Sequence, residues 1–176
     1  MSAAPPPRHV AWTGHRPELF ADPAAAAAVV AARAEALCAE HRGAVAFHCG
    51  GQRGVDTWAA QAAMRLGVPL HLYLPLPIPL FAADWTPADR AALEATWEAA
   101  ATRTVVDPTG ADPPAAYRAR NALLARRADL LVAVWTGLAG GGTAETLAFA
   151  RALGRPIEEH VLPRAPYTPA PGARGV

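Results

Sequence analysis

Apolar and polar positions along the chain follow two rhythms. Short apolar runs rich in β-favouring residues occur at 9–13 (HVAWT), 44–49 (AVAFHC), 70–74 (LHLYL) and 129–135 (DLLVAVW). Between them lie longer alanine-rich segments bounded by Gly, Pro, Asp or Thr. The short runs predict strands, and the wholly apolar 129–135 predicts one buried on both faces, as in a parallel sheet. The longer segments predict helices. Asp22 followed by Pro23 marks a start, with Gly43 as the stop after Arg42. A second helix is expected over 55–66, closed by Gly67 and Pro69. Pro75, Pro77 and Pro79 predict an extended loop, and Thr86–Asp89 a capping box opening a helix to about residue 102. Further elements are expected as a short strand at 104–106, helices over 115–127 and 144–153, and a last strand over 156–161.

Strand–helix alternation of this kind predicts the α/β class: a single Rossmann-like domain, its mostly parallel sheet flanked by helices on both faces. The domain is expected over 8–162. Loose Pro-, Ala- and Gly-rich tails are expected at 1–7 and 163–176.

Composition then removes several chemistries. The chain has 176 residues, 52% hydrophobic and 18% charged, which suits one ordinary core. All basic residues are arginine and the only serine is Ser2. A Walker-type Gly-Lys-Ser/Thr loop, a lysine Schiff base and a Ser-His-Asp triad are therefore excluded. Net charge is +1, which argues against broad attraction to nucleic acid or anionic membrane. Cys38 and Cys49 form no disulfide or zinc pattern, and no histidine has local metal-ligand spacing, so no metal is expected. No apolar stretch reaches a membrane span and no signal-peptide pattern opens the chain, so a cytoplasmic setting is the expectation.

Candidate chemistry sits at the turns from strand to helix, where ligands of open α/β sheets bind. One turn is Thr13-Gly14-His15-Arg16. A second runs Gly50-Gly51-Gln52-Arg53-Gly54-Val55-Asp56, and a third runs from Gly137 through Gly140, Gly141 and Gly142 to Thr143. Glycines admit close approach of backbone amides to phosphate, and a helix N-terminus adds a favourable dipole. Arg16 and Arg53 offer bidentate contacts, while Asp56 can either meet a ribose or cap its helix. Arg120 and Asn121 fall near the same edge, whereas Arg118 reads as part of a solvated helix face. Trp58 and Trp135 can border the pocket or pack in the core, and Cys49 reads as a buried strand cysteine.

Taken together, TGHRPE (13–18), GGQRGVDTWAAQAA (50–63), YRARN (117–121) and DLLVAVWTGLAGGGTAETLAFARALGRPI (129–157) resemble the SLOG superfamily. This is the Rossmann-like group that includes DprA and the LOG enzymes, and the YpsA-type branch is the nearest match. The resemblance implies a sensor or regulatory domain that needs no cofactor and binds a nucleotide-like ligand related to NAD, ADP-ribose or AMP. It carries ligand binding to Thr13, Gly14, His15, Arg16, Gly50, Gly51, Arg53, Gly54, Asp56, Arg120, Asn121, Gly141, Gly142 and Thr143. It also implies a homodimer, and is compatible with a protein partner that the sequence does not identify.

The alternative the resemblance offers is a LOG-like phosphoribohydrolase that cleaves the N-glycosidic bond of a nucleoside 5'-monophosphate, with Arg120 and Glu145 as catalytic candidates. Here the chain departs from the LOG pattern P-G-G-x-G-T-x-x-E. Leu138 stands at the proline, Thr146 at the glutamate, and Glu145 one residue early, a rotation of about 100 degrees on a helix.

Overall fold

The computed structural model describes residues 8–166. The tails expected at 1–7 and from 167 onward lie outside the described residues. Six strands form one sheet: β1 (Arg8–Gly14), β2 (Val45–Cys49), β3 (Leu70–Leu74), β4 (Thr102–Val105), β5 (Leu130–Trp135) and β6 (Ile157–Val161). Their order is β4-β3-β2-β1-β5-β6, and every neighbouring pair is parallel. Strands β2 to β4 extend to one side of β1, and β5 and β6 to the other. The chain therefore reverses its direction of travel between β1 and β5, and a crevice opens there beyond the strand ends.

The helices are α1 (Pro23–Glu40), α2 (Val55–Leu66), α3 (Ile78–Phe81), α4 (Pro87–Ala99), α5 (Pro113–Arg127) and α6 (Gly141–Ala152). Three start where side chains cap them. Asp22 accepts from the Ala25 amide, Thr86 from Asp89 and Asp112 from Ala115, each cap contributing about 1 kcal/mol. Successive strand residues point to opposite faces, so the sheet has two cores. Val10, Trp12, Phe47, Leu72 and Val132 share a buried cluster with Val30, Leu37 and Ala59 of α1 and α2. Ala11, Leu131 and Ala133 share the other with Leu124 of α5 and Leu147 and Ala150 of α6. Helices thus flank both faces, as the α/β reading required. No helix among the described residues is long and apolar enough to cross a membrane.

Several boundaries differ from expectation for physical reasons. The proline-rich loop contains the single helical turn α3. Pro79 occupies its first turn, where a missing amide costs nothing, and Phe81 is buried beneath it. Helix α4 ends at Ala99 because the chain is drawn into the sheet: the Ala101 amide donates to the Leu70 carbonyl at 2.8 Å, and β4 begins at Thr102. Helix α6 starts at Gly141, three residues early, since Gly140 with φ 81 turns the chain directly into it. Residues 163–166 do not form the start of a loose tail. Arg164 makes an antiparallel bridge with Phe20, and the Ala165 amide donates to Leu19 at 3.0 Å.

Candidate functional site

At the crevice between β1 and β5 lies a cleft of about 810 Å³. Its first wall is the end of β1. A Cβ on Gly14 would collide with the Val134 carbonyl and the Val55 side chain, so only glycine lets β1, β5 and α2 meet there. His15 follows, almost wholly buried. Its Nδ1 accepts from the Thr136 amide at 3.3 Å, which assigns the proton of the neutral ring to Nε2. Burial, with Arg164 and Arg16 nearby, lowers its pKa below the ordinary histidine value. His15 is thus a neutral group on the cleft wall.

The β2–α2 loop is closed on itself. The Arg53 amide donates to Gln52 Oε1 at 2.9 Å, the Val55 amide to the His15 carbonyl at 3.4 Å, and the Thr57 amide to the Gln52 carbonyl at 3.1 Å. Gly50 gives its carbonyl to the Arg120 guanidinium, which also lies 3.4 Å from the Asp56 carboxylate. Arg120 and Asp56 are both buried. Burial pushes the Asp56 carboxyl up to about 6 against the pull of Arg120, and burial lowers Arg120. A buried pair of this kind fixes geometry more than it stabilises.

The β5–α6 loop is open. Gly140 and Gly141 have φ 81 and 79, and a Cβ on either would meet nothing within 4 Å. No side chain caps α6, so its first-turn amides, which have no partner within the helix, face the cleft. Across from them, Asn121 Nδ2 donates to Glu145 Oε2 at 2.9 Å and Arg118 Nη1 to Glu145 Oε1 at 3.0 Å. Glu145 is held by two α5 side chains while it lines the cleft. Thr146 is turned away; its hydroxyl donates to the Gly142 carbonyl at 2.8 Å.

The cleft brings together Thr13, Gly14, His15, Arg16, Asp56, Arg120, Asn121, Gly141, Gly142, Thr143 and Glu145. Gly50, Gly51, Arg53 and Gly54 are not among its lining residues. Arg53, expected to meet phosphate, instead donates to Glu18 at 2.9 Å, sits 3.7 Å from Asp89 and packs its guanidinium over Trp85. The two carboxylates and the indole hold it away from the cleft. Trp58 and Trp135 also lie outside the lining; Trp135 donates to Glu159 at 3.1 Å. Cys49 is buried, and burial pushes its thiol well up. Gln52, Asp112 and Arg118 line the cleft without having been expected there. Position on α5 carries no signal for Arg118, since residues two apart on a helix do not share a face; the partner that draws it in, Glu145, is on another helix.

One further arrangement was not visible in local spacing. Local spacing showed no metal-ligand pattern, yet His9, His48 and His71 converge, with ligand atoms within 4.8 Å of one another. They come from three adjacent strands, and spacing along the chain does not register partners brought together by strand pairing.

No family model matches the chain, and no curated protein matches it. Solved structures do. DNA processing protein A (DprA) from Streptococcus pneumoniae matches with TM-score 0.65 at 19% identity, over 88% of this chain and 50% of that one. DprA from Helicobacter pylori, described for its single-stranded DNA binding mode, matches with TM-score 0.60 at 16% identity, over 88% and 65%. TM1055, a structural genomics target, matches with TM-score 0.55 at 21% identity, over 85% and 72%. The chain thus spans half the length of the Streptococcus protein and under two thirds of the Helicobacter protein. The fold it shares with them is the DprA-like, Rossmann-like fold expected of a SLOG domain.

Proposed function

We propose that this chain binds a nucleotide or nucleotide-derived ligand of the NAD, ADP-ribose or AMP type, as a sensor or regulatory domain, with phosphate against the first turn of α6. The observation that carries this reading is the uncapped helix start opening onto empty space at Gly140 and Gly141. Amides without partners and a helix dipole both favour an anion. The cleft volume of about 810 Å³ lies within the ordinary range for small-molecule sites. Arg16, half exposed and 3.5 Å from Glu18, can swing onto a phosphate at the cleft mouth.

The test is a thermal-shift and calorimetric panel of NAD, ADP-ribose and AMP. At least one compound is expected to raise the melting temperature, and Gly142→Asp, which sets a carboxylate in the anion's place, is expected to remove the shift. Silence across the panel contradicts the reading.

A second reading is supported by Glu145, whose carboxylate lines the cleft despite its displaced position in the sequence pattern. In an N-glycosidase it would stabilise positive charge developing on the sugar as the base departs, with water completing the cleavage. Release of free base from AMP, lost in Glu145→Gln, identifies this activity; an undiminished rate in that variant removes Glu145 from it. The Helicobacter neighbour's description makes single-stranded DNA the comparison ligand. A net charge of +1 argues against it here, and tight binding in a low-salt mobility shift would reverse that judgement.

A further inference from the structure

Outside the cleft, the α5-side face of the sheet carries the His9, His48 and His71 cluster on β1, β2 and β3. Parallel pairing sets His48 opposite His71, and His48 opposite Ala11, two residues along from His9. Residues two apart share a face, so all three imidazoles point the same way. The His48 and His71 rings stack with centroids 4.5 Å apart. His48 is buried, while His9 and His71 are half-buried, so the cluster has a closed floor and a side open to solvent. None of the three lines the cleft.

The hydrogen bonds sort the ring nitrogens. His48 Nδ1 lies 2.9 Å from the Tyr73 hydroxyl, and His71 Nδ1 lies 2.7 Å from the Thr102 hydroxyl. Each ring therefore has its Nδ1 engaged by a hydroxyl, while His48 Nε2 shares a hydrogen bond with His9 that a metal ion would replace. His9 presents Nδ1, 2.8 Å from His48 Nε2. Ring nitrogens held from behind by hydrogen bonds are the usual support for metal-ligating histidine.

We propose that His9 Nδ1, His48 Nε2 and His71 Nε2 form a binding site for a divalent transition-metal ion of the zinc class. The fourth position is on the solvent side. Three imidazoles suit zinc, copper or nickel and do not suit magnesium or calcium, which take oxygen ligands. A tetrahedral zinc site separates its nitrogens by about 3.3 Å at ordinary zinc–nitrogen lengths. Binding needs the half-buried His9 ring to turn, opening the 2.8 Å contact, and the half-buried His71 ring to tilt out of its stack on His48 so that its nitrogen converges.

Two of the three rings are disfavoured as imidazolium by their surroundings. Burial, with His71 and His9 alongside, lowers His48 to about 3, and burial with His9 lowers His71. Two charges reach the cluster, Arg127 opposing a cation and Asp129 favouring it. Asp129 also fixes the start of β1, accepting from the His9 amide at 2.8 Å. A bound ion would tie β1, β2 and β3 together across half the sheet.

The experiment uses the full chain without an affinity tag, freed of metal by chelator and then titrated with zinc by calorimetry. One ion per chain is expected, with the melting temperature raised by about 5–10 °C at a hundredfold excess over Kd. Cobalt in place of zinc should give the visible absorption of a four-coordinate site. His9→Gln and His71→Gln, both at half-buried positions, should each weaken binding by more than about 100-fold, and Tyr73→Phe by about tenfold. His160→Gln, outside the cluster, should leave it unchanged. Absence of a stoichiometric ion in the wild-type chain overturns the proposal. So does zinc affinity that persists in both folded cluster variants, which would put the metal elsewhere, at Cys38 for example.

Discussion

The β2–α2 and β5–α6 loops are written in nearly the same letters, glycines between a buried strand and a helix, at one edge of one sheet. In the first, the Arg53, Val55 and Thr57 amides are taken by the protein's own acceptors: the His15 and Gln52 carbonyls and the Gln52 side chain. Its glycines are required because protein stands where a Cβ would go. Arg120 and Asp56 crowd Gly50, Leu74 crowds Gly51, and the His15 carbonyl crowds Gly54. Neither α2 nor α6 has a side-chain cap, but in the second loop a Cβ at Gly140 or Gly141 would meet nothing within 4 Å. One loop is a brace and the other an opening. Glycine marks close approach in the first; in the second it marks a left-handed turn beside open space.

Substitutions that treat the two loops alike should separate them. The largest effect is expected from Gly54→Ala. Its φ of 87 and the immovable His15 carbonyl combine strain and collision, for a loss of about 3 kcal/mol in denaturant unfolding. Gly141→Ala, with the same strain and no collision, should lose only about 1 kcal/mol. Equal losses would erase the distinction. Next comes binding: Gly142→Asp should weaken a phosphate ligand about 100-fold by calorimetry, from charge repulsion and a lost anion seat, with stability little changed.

A smaller effect should appear with pH. Asp56 titrates at about 6 beside Arg120. Below that value the carboxyl is neutral and the guanidinium uncompensated, so the cleft is more positive. ADP-ribose, whose diphosphate does not titrate in this range, should bind about three- to tenfold more tightly at pH 5 than at pH 7.5. Asp56→Asn should flatten that profile; a profile that steepens with rising pH contradicts the sign. The smallest effect is Arg53→Ala. Its partners are Glu18, Asp89 and Trp85, so stability should fall by under about 1 kcal/mol and ligand affinity should stay within about twofold.

Much of the architecture was legible because it is local. The helix Val55–Leu66 and the strand Leu70–Leu74 lie at their expected bounds, since Gly67 and Pro69 are stop signals that act on their immediate neighbours. The turn at Ile78–Phe81 was hidden by prolines that usually mark extended chain and here sit where a helix tolerates them. The candidate cleft was legible as turns on one edge, though of the second turn only Gln52 and Asp56 line it. Which turn is open was not legible, because the Val55 amide of the β2–α2 loop is engaged by His15, just past β1, and its Gly50 carbonyl by Arg120 from α5. Glu145 reaches the cleft for a similar reason: Arg118 and Asn121, on a different helix, hold it there. The histidine cluster is the extreme case, created wholly by strand pairing.

The most direct test of the open-loop claim is an amide NMR titration of the full chain with ADP-ribose. The largest shifts are predicted at the Gly141, Gly142 and Thr143 amides, with the Arg53, Val55 and Thr57 amides nearly still. Shifts centred on residues 50–57, with the first turn of α6 unmoved, would contradict it.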